Sequence, residues 1–152
     1  MDERSTVGND LLRAAARLTR WATRNASFEV PYAQARLLAL LDELGPSRVS
    51  ALAEADHSSQ PSMTAALQRL ESQGWAQREP DPSDARATLL SLSRAGRKAL
   101  YEVRAARLDA LSPTLDALSD SDIAVLREAI TVMESLVHPV PVSTTPTLRK
   151  EA

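Results

Sequence analysis

A chain of 152 residues, 43% hydrophobic and 25% charged, has room for one globular domain or one domain with an oligomerisation extension. It has no cysteine, which excludes disulfides, thiolate zinc sites and thiol redox sensing, and its two histidines lie in unrelated segments. The net charge is −2, so any basic surface must be local rather than global.

With five aromatics and many Leu and Ala residues, the sequence predicts a mainly α fold with a helix-on-helix core. No apolar run approaches the roughly 20 residues that span a bilayer. The start, MDERSTVGND, lacks the basic and apolar regions of a signal peptide, so a cytoplasmic location is expected.

A first helix is expected over about 9–27, with Leu11, Leu12, Ala15, Leu18 and Ala22 on one stripe and Arg13, Arg17, Arg20 and Arg24 on another. Pro31 suits the first turn of a second helix ending near Leu44. Its leucines at 37, 38, 40, 41 and 44 cover so much circumference that it should be central and buried. Gly45-Pro46 is a strong stop. Ser47 can cap a third, short helix to about Ala55, with Val49, Leu52 and Ala53 inward. After a polar turn at 56–59, Pro61 opens a fourth helix that faces the core with Met63, Ala66, Leu67 and Leu70 and closes at Gly74.

Two strands are predicted next, over about 75–79 and 87–92, joined by a loop from Pro80 to Arg86. Ser93 caps a long helix carrying Leu100, Val103, Leu108, Leu111 and Leu115, which Pro113 should kink or interrupt. Ser119-x-x-Asp122 is a capping box opening a last helix with Ile123, Leu126, Ile130, Met133 and Leu136. The aperiodic, proline- and threonine-rich residues 138–152 read as a disordered tail. No internal repeat is visible.

A short helix, a second helix and a hairpin with a basic tip have a use on DNA: a helix lies in the major groove while the tip reaches a neighbouring minor groove. That arrangement is a winged helix-turn-helix. From Ser58 to Arg107 there are eight basic and five acidic residues, a local balance of +3, and the acidic excess lies elsewhere, notably in 115–134. The core-facing positions of the fourth helix leave Gln60, Ser62, Thr64, Ala65, Gln68 and Arg69 pointing outward. Small hydroxyls near a helix N-terminus allow close phosphate approach, Gln68 can pair with adenine, and Arg69 with guanine or phosphate. At the hairpin tip, Asp84 can support the loop and hold the Arg86 guanidinium for a narrow, electronegative minor groove. Arg48 is a weaker candidate for a phosphate contact. The bland alternatives are a solvated helix face and a surface ion pair worth little.

The run Arg69-Leu70-Glu71, Gly74, Arg78, Asp81-Pro82, Asp84-x-Arg86 and Leu92-Ser93-x-x-Gly96-Arg97 resembles the signature of the MarR family, the multiple-antibiotic-resistance regulators of bacteria. The resemblance extends over about residues 9–136. It implies a DNA-binding lobe over about 31–97, dimerisation helices over about 9–27 and 94–137, and a homodimer on an inverted-repeat operator in double-stranded DNA. It also implies a repressor that a small aromatic or phenolic ligand relieves. Carried over by position, Ser62, Thr64, Gln68 and Arg69 fall on the helix that reads DNA and Arg86 on the wing tip. Trp21, Phe28 and Tyr32 fall near the junction of the first two helices, where family ligand pockets lie. The chain departs from the family at Ala65, where many members carry a larger polar or basic residue, at Ala55 and at Pro113. Without cysteine it stands outside the thiol-oxidation branch.

The implied mechanism is allosteric spacing. Two reading helices must sit one DNA turn apart, about 34–36 Å, and a ligand favouring another separation weakens binding through a coupling of about 1–3 kcal/mol. The rival is a winged-helix module used only for protein association; Arg69, Arg78 and Arg86 count against it and Ala65 for it. An enzyme would need a nucleophile–base pair, a metal cluster or a phosphate-cradling glycine loop. None is visible, so neither enzymatic activity nor a metal or other cofactor is expected, and His57 reads as a surface residue.

Overall fold

The computed structural model describes residues 2–137. They form α1 (Glu3–Asn25), α2 (Tyr32–Leu44), α3 (Val49–Ala55), α4 (Gln60–Ser72), β1 (Ala76–Asp81), β2 (Asp84–Leu92), α5 (Arg94–Asp116) and α6 (Asp120–Val137). The expected tail lies outside the described residues. No helix among them is long and apolar enough to cross a membrane. The chain divides into two compact units, residues 1–111 and 112–152.

The core of the first unit is leucine-built. Leu38, Leu41, Leu52, Leu67, Leu70, Leu90 and Val103 are fully buried, drawn from α2, α3, α4, β2 and α5. The expectation that α2 is central holds for Leu37, Leu38 and Leu41, while Leu40 is half-buried and Leu44 exposed. The helix therefore buries one face rather than its whole circumference.

The helix ends follow capping chemistry, with two corrections. Helix α1 begins six residues before the expected start, because Asp2 caps it by accepting from the Ser5 N–H at 2.7 Å. Helix α3 is capped at Arg48 without a side-chain bond, so Ser47 is not its cap. Ser47 instead pairs its backbone with Leu90 (N–H to O 3.0 Å, and 2.8 Å in return), which ties the start of α3 to β2. Glycine closes α4 as expected: Gly74 has φ +72°. Ser93 accepts from the Gly96 N–H at 3.0 Å, and the Ser119–Asp122 box closes in both directions. Pro113 does not interrupt α5, which continues to Asp116. Its missing N–H removes one helical bond, to the Asp109 carbonyl, without ending the helix.

Strands β1 and β2 are antiparallel, and both are longer than expected, leaving a turn of only Pro82 and Ser83. The register runs from Ala76↔Leu92 to Pro80↔Thr88, then jumps to Asp81↔Asp84. Ala85, Arg86 and Ala87 thus have no partner on β1. Pro80, with no N–H to give the ladder, is compatible with an irregularity at this point.

Helices α1 and α6 each leave apolar side chains exposed among the described residues. Of the expected α1 stripe only Ala22 is buried, and Leu12 is 71% exposed. Helix α6 has no buried residue, although Ile123, Val125, Leu126, Ile130, Val132 and Met133 line it.

Candidate nucleic-acid interface

Helix α4 is started by Ser59, whose hydroxyl accepts from the Ser62 N–H at 3.3 Å and donates to Ser62 Oγ at 2.8 Å. Pro61 occupies the first turn, where its missing N–H costs no helical bond. With Met63, Leu67 and Leu70 buried, Gln60, Ser62, Ala65, Gln68 and Arg69 are exposed on the other side. Thr64 is half-buried, closer to the core than expected. The short α3 and α4 are joined by a turn in which His57 takes φ +52° and is exposed.

The wing is held by a carboxylate that the sequence reading left without a role. Asp81 is 7% exposed. Its Oδ1 accepts from the Ser83 N–H (2.8 Å) and hydroxyl (2.6 Å), and its Oδ2 from Arg48 Nε at 2.7 Å. A terminal nitrogen of Arg48 lies 2.6 Å from the same oxygen and 3.5 Å from Asp84 Oδ2. The Ser83 hydroxyl first, then its N–H, then Arg48 hold the Asp81 carboxyl down at about 2, against an ordinary 3.8. Asp81 in turn raises the Arg48 guanidinium.

A carboxyl depressed on folding stabilises the folded state above its unfolded value and loses that contribution as pH falls through the folded one. Asp81→Asn should therefore destabilise the protein at neutral pH. The difference from wild type should shrink only between pH 3.8 and about 2. Chemical denaturation at pH 7 and near pH 2 checks this, and a pH-independent difference would remove the charge from the explanation.

Asp84 accepts from the Arg86 N–H at 3.0 Å, and its ion pair is with Arg48. Asp84 thus supports the loop through a backbone N–H as expected, while the expected hold on the Arg86 guanidinium is not formed. Arg78 is turned to structure: it meets Glu71 through two bonds of 2.7 and 3.0 Å, joining β1 to α4. Among the described residues, Arg69 and Arg86 take part in no ion pair, so both cations face outward uncompensated.

Asp81-Pro82-Ser83 carried a readable signal, since an aspartate accepts readily from the N–H two residues on. Its Arg48 partner, 33 residues away, carried none.

The three aromatics expected near a ligand pocket are not gathered in one place. Phe28 lines an open groove of ≈ 690 Å³ with Trp75, Gln34, Lys98 and Glu102. Trp21 lies in a separate cleft among Arg17, Arg20 and Arg24, and Tyr32 is 58% exposed. Arg107 stacks over Phe28 at 5.7 Å.

No group of three or more His, Cys, Asp or Glu side chains among the described residues could hold a metal. The surface offers hydrogen-bond donors, acceptors and fixed positive charge.

Comparison with known proteins agrees with this geometry. The model of the MarR family matches residues 30–88, from just before α2 into the wing. An HTH-type transcriptional regulator of Mycobacterium tuberculosis is 33% identical over 142 residues, 93% of this chain and 99% of that protein. Among solved structures, a transcriptional regulator of Pseudomonas aeruginosa superposes with a TM-score of 0.76 at 28% identity, covering 91% of this chain and 97% of that one. A MarR family protein from Bacillus stearothermophilus shares the fold with a TM-score of 0.69 at 24% identity, covering 91% and 99%. By sequence and by fold, this chain belongs to the MarR family of transcriptional regulators.

Proposed function

We propose that two copies of the chain form a homodimer that binds an inverted-repeat operator in double-stranded DNA and represses transcription until a small aromatic or phenolic ligand releases it. The observation that carries the DNA half is the uncompensated pair Arg69 and Arg86, one on the exposed face of α4 and one on a braced wing. In this reading α4 enters the major groove, where Gln60, Ser62, Thr64, Gln68 and Arg69 meet bases and phosphates. Arg86 enters the adjacent minor groove.

The apolar faces of α1 and α6 support the dimer. Each helix leaves apolar side chains in water, and a two-fold dimer covers the same face on both copies at once. The open groove beside Phe28 and Trp75 supports a ligand that brings an aromatic ring.

The first experiment is titration of the protein into a duplex from upstream of its own gene, against scrambled DNA, at several salt concentrations. Tight, salt-sensitive and competitor-resistant binding supports the reading. Failure on that duplex and again in a selection from random sequence favours the protein-association module. Arg86→Ala should weaken specific binding by about 1–3 kcal/mol while leaving the melting temperature nearly unchanged. Equal affinity in mutant and wild type would remove the wing from the interface.

A further inference from the structure

The wing has an unusual mechanical problem. Its tip carries two prolines, Pro80 and Pro82, which have no N–H to donate, and three consecutive residues, Ala85 to Ala87, without a partner on β1. Backbone hydrogen bonding alone leaves the orientation of Arg86 poorly determined. What fixes the tip is side-chain chemistry anchored in another element. Arg48, at the cap of α3, directs Nε and a terminal nitrogen onto Asp81 Oδ2, at 2.7 and 2.6 Å, and that nitrogen also approaches Asp84. Asp81 holds Ser83 on one side of the turn, and Asp84 holds the Arg86 N–H on the other. One residue before Arg48, Ser47 is bonded through its backbone to Leu90 of β2. The start of α3 is therefore tied to both strands of the hairpin.

We propose that Arg48 is a positioning residue for the wing, which sets the aim of Arg86 through Asp81 and Asp84 rather than contacting DNA phosphate itself. The inference rests on the reading that Arg86 enters the DNA. A guanidinium fork suits this task because its planar donors fix direction as well as distance, which an ammonium does not. Asp81 is buried, so its charge needs a fixed partner, and Arg48 is that partner.

The test is a double-mutant cycle on the full-length protein, using a duplex selected from random sequence by the wild type. The variants are Arg48→Gln, Arg86→Ala and their combination. A positioning role predicts that each single variant weakens binding and that the double variant is no weaker than Arg86→Ala within about twofold. The salt dependence of Arg86→Ala and of the double variant should also coincide. If Arg48 meets phosphate, the two losses multiply and the salt slope falls by a further 0.9 or so, which overturns the proposal alone. If Arg86→Ala binds as well as wild type, the proposal falls together with the wing reading. Should Arg48→Gln fail to fold, Arg48→Gln combined with Asp81→Asn, which leaves no buried carboxylate uncompensated, takes its place in the cycle.

A second readout needs no DNA. The chain has no cysteine, so Ala85→Cys supplies a single attachment site for a nitroxide at the wing tip. Arg48→Gln should sharpen the spin-label spectrum, reporting a looser tip, and Arg48→Lys should restore part of the order. An unchanged spectrum in Arg48→Gln overturns the brace.

Discussion

Gly96→Ala should lower stability by about 3 kcal/mol or more, a large share of the roughly 5–15 kcal/mol that holds a folded domain together. A Cβ at this position would lie 1.9 Å from the Trp75 carbonyl oxygen and 2.9 Å from its carbon. Neither atom is the end of a flexible side chain. The Trp75 oxygen accepts from the Ser93 N–H at 3.0 Å, and the Ser93 hydroxyl donates to the Gly74 oxygen at 2.5 Å. The base of the wing and the first turn of α5 therefore meet backbone to backbone, and a methyl group can enter only by separating them. A thermal melt measures the effect, with a fall on the order of 10 °C expected for a chain of this size. Gly8→Ala is the control: nothing lies within 4 Å of its added Cβ, and inside a helix alanine is favoured by up to about 1 kcal/mol. Equal melting temperatures for Gly96→Ala and wild type would mean that the two backbones are not in contact.

Ile130→Asp should abolish dimerisation and, with it, specific DNA binding. Ile130 is 55% exposed on α6, a helix in which no residue is fully buried among the described residues. Losing the side chain thus removes little packing within the single chain. In a two-fold interface each substitution appears twice, and each copy would bury a carboxylate that has no partner. Omitting the partner of a buried charge costs about 3–5 kcal/mol, so two copies would weaken the dimer by about 6–10 kcal/mol, taking a nanomolar dimer to roughly tens of micromolar or weaker. Sedimentation should report a monomer, and titration should report at most weak half-site binding. A dimer that persists with wild-type affinity would place the interface elsewhere.

The helices were legible in the sequence because capping and periodicity are local. Ser93, Ser119 with Asp122, Gly74 and Pro61 act within four residues, and each ends or begins a helix as expected. The core residues of α4 followed from spacing alone, which in turn fixed most of the outward face that carries Gln68 and Arg69. Asp2 was overlooked because the apolar stripe starts later than the helix does, and the first turns carry polar residues. Ser47 was misread for a different reason. A serine before a short helix suits a cap, and its pairing with Leu90 depends on a strand 43 residues away. The Arg48–Asp81 pair was hidden by the same distance. Resemblance to the family pointed to the wing, yet it gave no account of what holds the wing still.

The three unpaired residues at the tip also bear on how this protein can vary. Because Ala85, Arg86 and Ala87 face no partner, adding or removing one would leave the register from Ala76↔Leu92 to Pro80↔Thr88 intact. Each extended residue changes length by about 3.3 Å. The two-residue turn is closed by Asp81 and Ser83, which such a change does not touch. Insertions or a deletion at Ala87, just after Arg86, would alter how far the basic tip extends while leaving the Asp84 hold on the Arg86 N–H in place. Reach is thus a trait on which selection can act separately from folding.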